Sequence, residues 1–252
     1  MTWRKIVPNL ITLAALLASF YCLVAAAKGQ FYLAAQLIML VLILDGLDGI
    51  LARLLRGTSK LGAELDTFVD MTGYGVAPAM ILYFMLVPDA GVWAMALVAL
   101  TLFSGAIRLS RFRIIDPFRG QHGYMGLPIT VNAGWVAMIV LLSHSGSGYF
   151  DSLTLTSGLP ALIIWGISLA MVFLQVSRVR YGKPVKKPIV FIAGAILVIM
   201  LFLQVELAVA AAYILCILGL YYAFISPFLL KNEDILDADE EDEEAVGTTG
   251  RG

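Results

Sequence analysis

Residues 43–77 read ILDGLDGILARLLRGTSKLGAELDTFVDMTGYGVA, two apolar helical runs joined by a short polar turn at residues 56–60. Four aspartates, Asp45, Asp48, Asp66 and Asp70, sit inside those runs, where an ionised carboxylate costs at least a few kcal/mol unless it is compensated. Asp45 and Asp48 are spaced i,i+3 and Asp66 and Asp70 i,i+4, so each pair projects from one face of its helix. At a rise of 1.5 Å per residue, Asp48 and Asp45 lie about 12 and 16 Å from the turn along one helix, and Asp66 and Asp70 about 9 and 15 Å along the next. The two acidic patches therefore meet at similar depth. Four carboxylates at one level repel, and the stretch supplies only Arg53 beside them, so divalent cations are the natural compensation. All-oxygen ligation selects hard ions, Mg2+ or Mn2+, over zinc or copper.

Small residues share these faces. Gly49 and Ala52 stand one turn from Asp45 and Asp48, and Gly62, Asp66, Asp70, Gly73 and Ala77 form one i,i+3/i+4 stripe. Glycine and alanine on a helix face serve close packing; on faces that also carry four aspartates, they make room for a ligand.

Outward from this stretch the chain stays apolar. Only 14% of the 252 residues are charged and 60% are hydrophobic, with a mean hydropathy of +0.90. A soluble domain carries roughly 25% charged residues, so a soluble globular enzyme is excluded. The expected fold is an all-α polytopic membrane protein. A span takes about 20 apolar residues, and the breaks predict eight helices near 6–27, 30–56, 60–86, 91–113, 127–145, 159–177, 188–204 and 207–229. The least marked break is at Gln204 and Glu206. Nothing resembling a cleavage site follows Arg4 and Lys5, so the first helix is expected to be retained.

With the N-terminus inside, sixteen of the seventeen basic residues fall in inner segments and only Lys28 falls outside. This asymmetry predicts an even number of spans, both termini and the aspartate hairpin's turn facing the cytoplasm. Nine of the eighteen acids lie between Glu233 and Glu244. The domain expectation is a transmembrane unit over 1–230 and an acidic, disordered cytoplasmic tail over 231–252. Cys22 and Cys216 lie far apart in apolar runs, which fits packing thiols rather than a disulfide or a thiolate metal site. His122 and His144 read as a loop histidine and an outer-side one, and Asn132 and Gln175 as helix cross-links. Membrane lipids are the expected surroundings. The sequence calls for no nucleic acid and leaves a homodimer open.

Read as D-x2-D-G-x2-A-R-x8-G-x3-D-x3-D, residues Asp45, Asp48, Gly49, Ala52, Arg53, Gly62, Asp66 and Asp70 match the signature of the CDP-alcohol phosphatidyltransferase family. Further stretches resemble one branch, the membrane-embedded phosphatidylserine synthases: PNLITL at Pro8–Leu13, AIRLSRFR at Ala106–Arg113, GLPIT at Gly126–Thr130 and VSRVRYGKP at Val176–Pro184. Arg113 stands where that branch usually has Asn. The resemblance covers roughly residues 6–230.

It implies an integral membrane enzyme that moves a phosphatidyl group from CDP-diacylglycerol to an alcohol, L-serine in this branch, and releases CMP. With the family as guide, Asp45, Asp48, Asp66 and Asp70 are expected to share two metal ions, with Asp70 as general base. Gly49, Ala52, Arg53 and Gly62 are expected to receive the CDP-lipid, and Arg108 or Arg111 the acceptor's carboxylate. Other acceptors (glycerol 3-phosphate, inositol phosphate) and an ether-lipid donor belong to the same chemistry. A cation transporter is the rival from another class, because intramembrane acids also mark ion paths. No internal repeat supports it, and the two helices become apolar outward of Asp45 and Asp70.

Overall fold

A computed structural model describes residues 3–115, 124–144, 155, 158–182 and 188–229. Helices stand at all eight expected positions: α1 Trp3–Ala27, α2 Phe31–Leu54, α3 Lys60–Val69, α4 Ala77–Ile115, α5 Ile129–Ser143, α6 Gly158–Val176, α7 Pro188–Met200 and α8 Val205–Phe224. The third and fourth expected helices are the continuous stretch from α3 through α4, folded back at Gly91, where φ 56° and ψ −130° leave helical space. Only glycine adopts such a backbone readily. The reversal brings the two arms together: a Cβ on Gly105 would lie 3.5 Å from Gly75 Cα, and Arg113 reaches back to Glu64.

Among the described residues, four helical segments are long and apolar enough to cross a membrane: Trp3–Ala27, the folded Lys60–Ile114, Gly158–Val176 and Val205–Phe224. Helix α2 has 24 residues, about 36 Å at 1.5 Å each, but carries both Asp45 and Asp48. Helices α5 and α7, with 15 and 13 residues, fall short of the roughly 20 needed to cross unaided.

The α1–α2 hairpin packs closely, and α5 is buried along most of its length. Ala15, Ala18, Ala25 and Ala26 of α1 and Ala34 and Ala35 of α2 are buried, and such small side chains let backbones approach, which is how apolar helices associate in lipid. Gly29 closes α1 with a positive φ of 72°, and Gln30 N–H donates to the Ala25 carbonyl, the paired-carbonyl cap that a left-handed residue permits. Both cysteines are buried and free, and the Cys22 thiol donates to the Ala34 carbonyl at 3.2 Å.

The break between α7 and α8 is real although the sequence there stays apolar. Gln36 of α2 donates from Nε2 to the Leu201 carbonyl at 2.8 Å, satisfying a carbonyl at the end of α7. Deeper in the bundle, Gln175 Oε1 accepts from Ser104 Oγ at 2.6 Å and Asn132 Nδ2 at 3.4 Å. The two polar residues singled out from the sequence do cross-link α4, α5 and α6. Trp135 is buried and donates to Ser168 Oγ, whereas Trp93 is exposed. His144 packs edge-on against Phe31 with ring centroids 5.4 Å apart. His122, Arg119 and the acidic tail lie outside the described residues.

At the end of the bundle that holds the α2–α3 turn, two-residue strands β1 (Tyr124–Met125) and β2 (Arg180–Tyr181) pair antiparallel. Gly126, at φ 79°, passes so close to the Gln175 carbonyl that a Cβ has no room. The Tyr181 hydroxyl donates to the Ala223 carbonyl at 3.0 Å, tying this connection to the end of α8.

Candidate active site

The α2–α3 connection fixes the site. Arg56 closes α2 in the left-handed region at φ 50°, Arg56 N–H donates to the Arg53 carbonyl, and Gly57 N–H to the Ala52 carbonyl. Two carbonyls that the helix end would leave bare are thereby satisfied. Ser59 then caps α3, its Oγ accepting from Gly62 N–H at 3.0 Å, one of the orphan donors of a helix start. The turn is also seated on α1. Pro8 offers no N–H to the Arg4 carbonyl one turn earlier, and Gly57 packs so closely against that carbonyl that a side chain would collide with it.

This geometry brings Asp45 and Asp48 of α2 against Asp66 of α3, with a carboxylate oxygen from each lying within 4.8 Å of the others. Asp48 is buried and accepts from the Thr12 hydroxyl of α1. The Tyr74 hydroxyl donates to Asp45 Oδ2 at 3.4 Å. Asp45 Oδ1 is buried with no hydrogen-bond partner among the described residues, a costly state for a carboxylate oxygen that a cation would relieve. An orphaned oxygen in a group of three carboxylates fits a hard divalent ion.

Asp70 is not within that group of three. It opens a π-helical segment, Asp70–Val76, that the sequence reading did not anticipate. Ala77 N–H donates to Thr72 O, five residues back, so the turn is widened and the i,i+3/i+4 stripe past Asp70 is shifted. Close packing accompanies the widening: a Cβ on Gly73 would sit 2.8 Å from Val41 Cγ1 and 2.9 Å from Ser19 Oγ. Asp70 interacts electrostatically with Asp66 and with Arg108.

Beside the carboxylates a cavity of about 580 Å³ opens between α1, α2 and α3. Gly49, Ala52, Arg53 and Gly62 all line it together with Asp48 and Asp66. A Cβ on Gly49 would lie 3.6 Å from Arg53 Nη1, so Arg53 folds back over Gly49 on the cavity wall. The third wall, Pro8, Asn9 and Thr12 of α1, received no role from the sequence. Its signal was present: Asn9 and Thr12 are a polar i,i+3 pair in an otherwise apolar run. Gly62 also admits Asn9, since a Cβ there would be 2.8 Å from Asn9 Oδ1.

The structure separates the arginines. Arg108 is buried, lies 5.4 Å from the Phe112 ring centroid and interacts electrostatically with Asp70. Arg111 instead donates to the Val176 carbonyl at 2.5 Å and approaches Met125 Sδ at 3.2 Å, bracing the end of α6 against β1. Arg113, the departure from the usual Asn, pairs with Glu64 and donates to Thr67 Oγ1 at 3.0 Å. It clamps α3 to the returning arm of α4.

A sequence model of the CDP-alcohol phosphatidyltransferase family matches residues 5–165. The chain belongs to that family. The matched range takes in the α1 wall, the four aspartates and Arg108. Among its relatives, the chain is 32% identical over 217 residues to CDP-diacylglycerol–serine O-phosphatidyltransferase of Helicobacter pylori, covering 86% of this chain and 88% of that one. It is 30% identical over 246 residues to the protein of the same name from Mycobacterium leprae, covering 94% and 78%. A more distant relative, archaetidylserine synthase of Methanothermobacter thermautotrophicus, is 26% identical over 181 residues, 70% and 69% of the two chains. Family membership and the apolar helices make this an integral membrane enzyme of phospholipid synthesis.

Proposed function

We propose that the protein transfers the phosphatidyl group of CDP-diacylglycerol to the hydroxyl of L-serine, giving phosphatidylserine and CMP. The observation that carries this reading is the cavity whose wall is the family's own residue set, Asp48, Gly49, Ala52, Arg53, Gly62 and Asp66, in a chain whose full-length relatives bear that activity in their names. In this reading both termini and the site face the cytoplasm, residues 1–230 are the catalytic membrane domain, and 231–252 are an appended tail.

Asp45, Asp48 and Asp66 would hold Mg2+ or Mn2+; a second ion would have to draw on Asp70. A divalent cation there supplies charge neutralisation of the diphosphate and of the departing CMP. Gly49, Ala52 and Gly62 leave room for the cytidine moiety, and Arg53 lies where a phosphate would pass. The lipid chains stay in the bilayer. Arg108 orients serine through its carboxylate. Asp70 accepts the serine hydroxyl proton as Oγ bonds to the phosphatidyl phosphorus. The bond from that phosphorus to the bridging oxygen breaks, and its electron pair leaves with CMP.

The test is CMP release by the purified protein across a panel of alcohols, with serine expected to be preferred and inositol phosphate or glycerol 3-phosphate inactive. Preference for a phosphorylated alcohol would refute serine as acceptor. In the same assay EDTA should abolish turnover and Mg2+ or Mn2+, but not Zn2+, should restore it, since the ligands are carboxylates. Full turnover in EDTA would remove the metal from the mechanism.

Arginine substitutions divide acceptor binding from bracing. Arg108→Lys keeps the charge but loses the planar fork and should raise the serine KM about tenfold or more with little change in the CDP-lipid KM. Arg111→Ala should move both KM values little and lower unfolding stability by about 1.5–3 kcal/mol, the range for hydrogen bonds involving a charged group. The opposite pattern would exchange the two roles.

A further inference from the structure

Thr12 is joined to the carboxylate group across 36 residues of chain. Its hydroxyl is 3.1 Å from the Pro8 carbonyl of its own helix and bonded to Asp48 Oδ2. Thr12 and Asp48 are only 4% and 6% exposed, so the contact is largely shielded although both residues also line the cavity. A hydroxyl has one hydrogen, and of its two acceptors the carboxylate makes the stronger, charge-assisted bond. With that hydrogen on Asp48, the rotamer of Thr12 is set by the carboxylate, and the Pro8 carbonyl is only the alternative acceptor. The helix that delivers it is fixed as well, through its buried alanines and through Gly57 against the Arg4 carbonyl.

We propose that Thr12 is a positioning residue that ties down one oxygen of Asp48, so that this carboxylate can meet a divalent cation through a single oxygen only. The inference rests on the metal reading given above and adds to it a source of selectivity. Mg2+ demands six ligands in a near-ideal octahedron at about 2.0–2.1 Å, whereas Ca2+ takes six to eight ligands and accepts both oxygens of one carboxylate. An Asp48 held by Thr12 suits the smaller ion. Released, the carboxylate can turn and offer both oxygens, which favours the larger.

The experiment measures cation binding rather than turnover. Full-length protein in detergent micelles, without substrate, is titrated with Mn2+ by electron paramagnetic resonance, and Ca2+ affinity is read by displacement. Thr12→Val removes the hydroxyl at nearly constant shape and should weaken Mn2+ about 10–100-fold, as loss of a group supporting a metal ligand does. Ca2+ affinity should change by less than about threefold, because a bidentate Asp48 still serves it. Thr12→Ser keeps the hydroxyl and should bind Mn2+ like the wild type; Thr12→Ala replaces the valine variant if that does not fold. Unchanged Mn2+ affinity in the valine or alanine variant overturns the proposal. So does an equal loss for both cations, or a serine variant as weak as the valine one. A wild-type protein that binds no Mn2+ overturns the metal reading itself, a result distinct from these.

Discussion

Asp66→Asn should lower the rate of CMP release about 10³-fold or more and abolish Mn2+ binding at concentrations that saturate the wild type. Preorganised charge in a site closed to water is worth about 10²–10³ in rate for a single neutral donor, and here a full charge is removed. Asp66 is the only member of the three-carboxylate group contributed by α3, with Asp45 and Asp48 both on α2. Its loss leaves two neighbouring carboxylates with one wall of the site missing, a different outcome from trimming one of several ligands on a single helix. The asparagine has nearly the same shape, and other residues seat the turn. Ser59 and Gly57 do that, so the variant should fold. CMP release and Mn2+ titration on the same preparation check both halves. Turnover near wild type would mean the carboxylates serve helix packing alone.

How much of this was legible beforehand follows from which interactions are local. Helix positions came from runs of apolar residues, and the boundaries hold within a few residues because lipid leaves a backbone little alternative to a helix. The convergence of Asp45, Asp48 and Asp66 followed from a short turn and a fixed rise per residue. What was not legible depends on contacts distant in sequence. Nothing near Thr12 says that its hydroxyl meets Asp48, and nothing near Gly57 says that the Arg4 carbonyl fills the place of its side chain. Arg108 and Arg111 are three residues apart and looked interchangeable; only the fold puts one beside Asp70 and the other on the end of α6. The π-helical turn was hidden for another reason. Asp70–Val76 keeps a helical pattern in its residue types, and the extra residue in the turn shows only once Gly73 must clear Val41 and Ser19.

Asp70→Asn should separate proton transfer from metal binding. Because Asp70 lies outside the group of three carboxylates and interacts electrostatically with Arg108, its replacement should weaken Mn2+ binding about tenfold at most, the low end for a residue that acts through a ligand rather than as one. Turnover should nevertheless fall about 10²–10⁴-fold, the usual contribution of a positioned general base. The cleft between α2 and α3 holds no cysteine, histidine or lysine beyond its turn, and Thr67 is committed to the Ala63 carbonyl and to Arg113. A covalent phosphatidyl-enzyme formed on one of the aspartates would take a charge from the site just as CMP departs. Direct attack avoids that loss. Serine must then be bound beside the CDP-lipid when its proton leaves, so initial-rate plots for the wild type should intersect and configuration at phosphorus should invert. A variant that loses one bound Mn2+ per chain would make Asp70 a ligand of a second ion instead. Exchange of labelled CMP into the CDP-lipid without serine, with retention at phosphorus, would show a covalent intermediate instead.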